Sequence, residues 1–225
     1  MRLALFDLDN TLVDRAAAFR RSVQRLQEHL GVESPDFVSF VERADRDGTA
    51  GWLSWMQAAQ EQFAFNGDAA TLVEQHRDRY LASFEVERPV IERLVALRCD
   101  GWHIVIVTNG PPTQLDVARR CGVLADVDAC LVSSVVGVRK PDRAIFELAA
   151  QQVGADLARD TVWMIGDSPS ADIAGAVEVG IDSIWLARGR RWTEPRFSPT
   201  ETVDAIDQAF ERLVARVDGG STTGR

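Results

Sequence analysis

The chain has 225 residues, 46% of them hydrophobic, which is room for one large domain or two small ones and excludes global disorder. A formal net charge of -9 argues against nucleic acid or an anionic membrane as a partner held by a general basic surface. It leaves open a local basic site for a small phosphorylated ligand, and it does not distinguish monomer from homodimer.

The first element is the apolar run Leu3 to Phe6, read as a buried strand. Only four apolar residues separate Met1-Arg2 from Asp7, so no signal peptide is expected, and no apolar run approaches the ~20 residues that span a bilayer. The strand runs into "FDLDNTLVD", Phe6 to Asp14, which carries Asp7 and Asp9 with Thr11 behind them. Buried charge is costly unless something pairs with it. Strand periodicity lets the two acids project to one side, where one pKa should rise unless a cation intervenes. A hard, oxygen-seeking ion such as Mg2+ is the natural guest. Alone, the pattern reads more readily as a helix cap or a solvated turn.

The next strand begins only near His103, although a crossover needs about a dozen residues. The excess carries helical stripes. Phe19, Val23, Leu26 and Leu30 form one, stopped by Gly31. Trp52, Trp55, Met56, Ala59 and Phe63 form a second, and Leu72, Val73, His76, Tyr80 and Phe84 a third. A helical insertion of residues 15–85, folded as a small bundle, is expected. Within it "ADRDGTAGW", Ala44 to Trp52, reads either as a loop that dips towards substrate or as a helix–helix turn. The helix of Val90 to Leu97 leads back to the sheet.

Four further strands are expected, at His103 to Val107, Ala129 to Val132, Thr161 to Ile165 and Ser183 to Leu186, with helical segments between them. Alternating strands and helices predict an α/β fold with a doubly wound parallel sheet (Rossmann-like). Ligands in such folds bind beyond the carboxyl ends of the strands. Thr108 and Asn109 in "VTNG" close the second strand with donors for phosphate oxygens. In "GVRKPDRAIF" Lys140 precedes Pro141, a favourable first helical residue, and could neutralise a phosphate or the acids. In "MIGDSPSADIAGA" Asp167 follows the fourth strand and Asp172 falls early in the next helix. Each segment alone has a plainer meaning as a turn, a surface lysine or helix-start acids.

The remaining polar residues read as structural. His29, His76 and His103 lack ligand spacing, and Arg188, Arg190 and Arg191 read as a solvated loop. Cys99, Cys121 and Cys130 lack CxxC spacing and fit a reducing cytoplasm, each as a small buried residue. The tail of residues 218–225, "DGGSTTGR", is expected to be disordered.

Taken together, D-x-D-x-T, T-N-G, K-P and G-D-x-x-x-x-D, in this order and each near a strand end, resemble the haloacid dehalogenase-like superfamily. The resemblance implies a core of residues 1–14 and 86–217 and a helical cap of residues 15–85. It implies that Asp7 is the nucleophile of an aspartyl-phosphate mechanism and Asp9 the acid that protonates the leaving alcohol and later activates water. Mg2+ would be held by the Asp7 carboxylate, the Asp9 backbone carbonyl and Asp167, with Asp172 bound directly or through water. Thr108, Asn109 and Lys140 would hold the phosphoryl group, and Lys140 should also keep Asp7 ionised. Among the superfamily's activities Asp9 favours a phosphatase acting on a small phosphorylated metabolite, because a departing halide needs no proton. A 2-haloacid dehalogenase and a non-catalytic phospho-accepting module are the rival readings.

Overall fold

The computed structural model describes residues 1–219. Five parallel strands form where the apolar runs fall: β1 (Arg2–Phe6), β2 (His103–Thr108), β3 (Ala129–Val132), β4 (Thr161–Gly166) and β5 (Asp182–Leu186). A sixth, β6 (Glu201–Val203), is three residues long with Val203 its one apolar residue, so no apolar run announces it. The sheet order is β3-β2-β1-β4-β5-β6. Winding runs outward from β1 through β2 and β3, then restarts on its other side at β4. The crevice of an open α/β sheet lies at such a reversal, here between β1 and β4.

The register explains why both strand faces are apolar. Leu5 lies beside Val105 and Met164, and these share one buried cluster with Ile145 and Phe146 of α8 (Arg143–Gln151). The neighbouring residues face the opposite layer, where Phe6 meets Phe210 of α10 (Ile206–Gly219) with ring centroids 5.4 Å apart. A sheet covered on both faces needs near-continuous apolar strands rather than alternating ones.

The chain divides into two compact units, Met1–Val13 with the chain from Val86 onward, and Asp14–Glu85. The second unit holds α1 (Arg15–Leu30), α2 (Phe37–Asp45), α3 (Trp52–Phe63) and α4 (Ala69–Leu81). Asp14 caps α1 by accepting from Ala17 N at 3.1 Å, and Gly31 ends it with φ +65°. Helix α2 carries only Phe37, Val41 and Asp45 inward, too short a stripe to have been read from periodicity. His76 is fully buried among Phe19, Trp52 and Trp55, with ring centroids 6.4, 5.4 and 5.3 Å away.

The Ala44 to Trp52 stretch is a tied helix–helix connection. Buried Asp45 accepts from Arg15 Nη2 and from Gly48 N, both at 2.7 Å. Arg46, Asp47 and Gly48 all have positive φ, at 52°, 54° and 80°. Two non-glycine residues in that region need such an external tie.

The returning helix is α5 (Arg88–Cys99). Cys121 is buried and Cys130 partly so, whereas Cys99 is exposed, against expectation, because it ends α5 on the solvent side. Helix α10 continues to Gly219, so the first two residues of the expected tail are helical, and residues 220–225 lie outside the described residues. Among the described residues no helix is long and apolar enough to cross a membrane.

Candidate active site

The first site segment leaves β1 in a tight reversal. Asp7 N still donates to Ile165 O of β4 at 2.9 Å, so the Asp7 backbone continues the ladder. Leu8 O then collects three amides, those of Thr11, Leu12 and Val13, at 3.3, 3.0 and 3.1 Å. Asn10 takes φ +57°, which its short polar side chain tolerates. The reversal fixes Asp7 at the strand end and Asp9 in the turn.

The second segment leaves β4. Ser168 caps a short π-helical turn, Pro169–Ile173, by accepting from Ala171 N at 3.3 Å. Asp172 sits in that turn rather than in the following helix α9 (Ala174–Val179), and its Oδ2 accepts from Ser168 N at 2.9 Å. A Cβ on Gly166 would meet Asp172 Oδ2 at 2.1 Å. Glycine at the end of β4 is therefore what lets the Asp172 carboxylate fold back over the strand.

Lys140 supplies the positive charge. It is 2% exposed, and its Nζ lies 2.7 Å from Asp7 Oδ1 and 2.7 Å from Asp172 Oδ1. Its peptide bond to Pro141 is cis. Helix α8 starts only at Arg143, capped by Asp142, so Pro141 is not the first helical residue expected from "KPD". Asn109 holds Lys140 in place: its Nδ2 donates to Lys140 O and its Oδ1 accepts from Lys140 N, both at 2.9 Å. That two-sided clamp occupies the Asn109 side-chain amide with the Lys140 backbone.

Thr108 and Asp9 meet through a residue the sequence does not single out. Gln114, on the first turn of α6 (Gln114–Arg120), donates from Nε2 to Asp9 Oδ2 at 2.7 Å and to Thr108 Oγ1 at 3.4 Å. A Cβ on Gly110 would lie 2.7 Å from Gln114 Cγ, so the glycine of "TNG" makes room for it. No local spacing marks Gln114, because its partner Asp9 lies 105 positions back in the sequence.

The structure thus gathers Asp7, Asp167, Asp172 and Lys140, with Asn109 behind the lysine and Gln114 linking Thr108 to Asp9. Asp7, Asp167 and Asp172 each offer a carboxylate oxygen within 4.8 Å of the others, and all three are buried. Burial raises the Asp7 pKa well above the usual carboxylate range. Lys140 opposes that shift, while Asp172 and Asp167 add to it. From the sequence, Lys140 should have kept Asp7 ionised; burial and two more acids outweigh it. For Lys140, burial pulls the ammonium down, and the Asp172 and Asp7 carboxylates overcome this, pushing it up to about 12. The lysine is a fixed cation.

The loop after β5 is not simply solvated. Arg190 Nη2 donates to Asp167 O at 2.7 Å and to Asp167 Oδ2 at 3.2 Å, and Arg188 Nη1 donates to Asn10 O at 3.3 Å. Trp185 Nε1 also donates to Asp167 O, at 2.9 Å. Nothing local in "ARGRRW" signals this, because the partners lie about 20 residues back or at the N-terminus.

Residues 1–180 match the family described as haloacid dehalogenase-like hydrolase. A phosphoserine phosphatase of Thermus thermophilus is 26% identical, over 93% of this chain and 98% of its own length. A ribulose-1,5-bisphosphate 5-phosphatase of Halopiger xanaduensis is 31% identical, over 94% of this chain and 91% of its own. The solved structure of the HAD-hydrolase YfnB from Bacillus subtilis, bound to magnesium, superposes with TM-score 0.78 at 22% identity, covering 94% of this chain and 98% of that one. With four-fifths of its length matched, and with acids at the ends of β1 and β4 facing a buried lysine, the chain belongs to the haloacid dehalogenase-like hydrolases.

Proposed function

We propose that the protein is a Mg2+-dependent phosphatase that hydrolyses a small phosphorylated metabolite through an aspartyl-phosphate on Asp7. The observation that carries this reading is the ion pair between Asp7 Oδ1 and buried Lys140 at 2.7 Å, beside two further buried acids. Three carboxylates in mutual reach are a hard, all-oxygen donor set, which suits Mg2+. Asp7, Asp167 and Asp172 would hold the ion together with the Asp9 backbone carbonyl. Bound there, it would offset the repulsion between a carboxylate and a phosphate dianion.

The chain's own residues divide the work. An Asp7 carboxylate oxygen attacks phosphorus, and the bond from phosphorus to the ester oxygen breaks. Asp9 gives its proton to the departing alkoxide, a poor leaving group whose protonation is worth about 10²–10⁴-fold. Asp9, now a carboxylate, takes a proton from water as that water attacks the phosphorus of the aspartyl-phosphate. Inorganic phosphate leaves and Asp7 is regenerated. Splitting one difficult displacement into two is the benefit of the covalent route. Lys140 and Thr108 meet the phosphoryl oxygens, and Asn109 keeps Lys140 where it can do so.

Two phosphatases that align along nearly the whole chain support this reading. So does Asp9, which a dehalogenase would not need. We assign the core to residues 1–14 and 86–217 and the role of specificity-bearing cap to residues 15–85, inserted directly after the acids of β1. A cytoplasmic location fits the free cysteines: burial pushes Cys121 up to about 12 and Cys130 up to about 11, leaving both unreactive as thiols.

The test is phosphate release from a panel of sugar phosphates, phosphorylated acids and nucleoside monophosphates, with and without Mg2+, alongside Asp7→Asn. Turnover that needs Mg2+ and disappears in a folded Asp7→Asn protein is expected. Near-normal turnover by that variant would remove Asp7 as nucleophile, and halide release from 2-chloropropionate without Mg2+ would revive the dehalogenase reading.

A further inference from the structure

Arg190 stands on one of the three clustered acids. The guanidinium is held from several sides. Nη2 donates to Asp167 O at 2.7 Å, Leu186 O at 3.0 Å and Asp167 Oδ2 at 3.2 Å, and Nε donates to Ala187 O at 2.9 Å. Its Cζ lies over the Trp185 ring, 5.5 Å from the centroid. Trp185 is in turn fixed edge-on by Trp192, 5.0 Å away, whose indole donates to Glu194 O at 2.8 Å and Phe197 O at 3.1 Å. These aromatics form a small cluster of their own with Ile173 and Ala187. The loop after β5 is therefore a clamp on the turn after β4.

The Arg190 side chain is 43% exposed, so its ion pair with Asp167 adds little energy. Its effect is geometric: it occupies Oδ2. Mg2+ demands a compact octahedron and takes one oxygen from each carboxylate, whereas Ca2+ takes six to eight oxygens and readily accepts both from one. We infer that Arg190 is a positioning residue that withholds Asp167 Oδ2 from two-oxygen ligation and so sets the acid cluster's preference for Mg2+ over Ca2+. This rests on the reading, proposed above, that Asp7, Asp167 and Asp172 hold a divalent cation.

The experiment measures binding rather than turnover. Mn2+ bound to the whole protein is followed by electron paramagnetic resonance and displaced by Mg2+ or by Ca2+, and the ratio of the two displacement constants is taken. Arg190→Gln is expected to shift that ratio roughly tenfold towards Ca2+. Arg190→Lys keeps the charge but loses the separate Nε bond to Ala187 O that fixes the side chain over Asp167, so it is expected to shift the ratio in the same direction. It carries the test if the glutamine variant does not fold. Trp185→Phe removes one bond to the Asp167 carbonyl and keeps the ring beneath Arg190; its ratio is expected to equal that of the wild type. A wild-type ratio in either folded Arg190 variant overturns the inference, as does an equal shift in Trp185→Phe. Absence of Mn2+ binding to the wild-type protein overturns the cation reading and the inference with it.

Discussion

Gln114 Nε2 donates to Asp9 Oδ2 at 2.7 Å across 105 positions of sequence. This bond orients the carboxylate to which we assign proton transfer. Gln114→Ala removes the donor and leaves the nucleophile, Lys140 and the acid cluster untouched. We expect kcat on an alkyl phosphate to fall by about tenfold or more, within the ~10²–10⁴-fold that a positioned acid contributes. Turnover of p-nitrophenyl phosphate, whose leaving group needs less protonation, should fall by much less. Equal losses on both substrates, measured by phosphate release, would detach Gln114 from the proton-transfer step.

Lys140 is the counterion of two acids at once, and its removal should show in stability before it shows in chemistry. Lys140→Met keeps much of the side-chain volume but leaves Asp7, Asp167 and Asp172 clustered without the ammonium between them. Breaking a buried pair from one side costs about 3–5 kcal/mol. Urea unfolding should report a loss of that order in metal-free buffer, and added Mg2+ should recover more stability in the variant than in the wild type. A variant as stable as the wild type in metal-free buffer would mean that the three acids do not bear charge together.

What was legible in the sequence followed from the covalent order of strand ends. A buried parallel strand must be apolar along its whole length, so Leu3 to Phe6 and Thr161 to Ile165 stand out, and polar residues just past them fall at the edge where ligands bind. That logic reaches Asp7, Asp167 and Thr108. It does not reach β6, whose three residues contribute little apolar burial, or α2, whose buried stripe has three members. It also cannot reach Gln114 or Arg190. Their partners are fixed by how α6 and the loop after β5 fold back, and that is three-dimensional information that no local spacing encodes. The direction of the Asp7 pKa failed for a related reason: the lysine and the other acids were visible in sequence, but the depth of burial, the largest cause, was not.

Gly166 offers a sharper test of the turn after β4. A methyl group there would stand 2.1 Å from Asp172 Oδ2 and 2.3 Å from its Cγ, so Gly166→Ala must displace the carboxylate that pairs with Lys140. Overpacking of this kind costs about 1–3 kcal/mol. The expected result is a folded protein with a modestly lower urea midpoint, at least about tenfold weaker Mn2+ binding and a corresponding loss of turnover. Unchanged metal affinity would show that Asp172 is dispensable to the cluster.

His76 makes the stability of the helical unit depend on pH. Burial, with a smaller contribution from Arg79, lowers its pKa from 6.5 to about 4. Its Nε2 lies 3.4 Å from Ser22 Oγ, and aromatic rings surround it. Between those two values the unfolded chain binds a proton that the folded chain refuses. The contribution is therefore fully present above pH 6.5 and is lost as the pH falls towards 4. At pH 5 the loss amounts to about 2 kcal/mol. His76→Gln cannot take up the proton and retains a side chain able to bond Ser22. The variant should be less stable than the wild type at pH 7.5, yet lose about 2 kcal/mol less on going to pH 5, as read from urea midpoints followed by tryptophan fluorescence. Parallel losses in the two proteins would show that folding does not depress the His76 pKa, and that other groups carry the acid sensitivity.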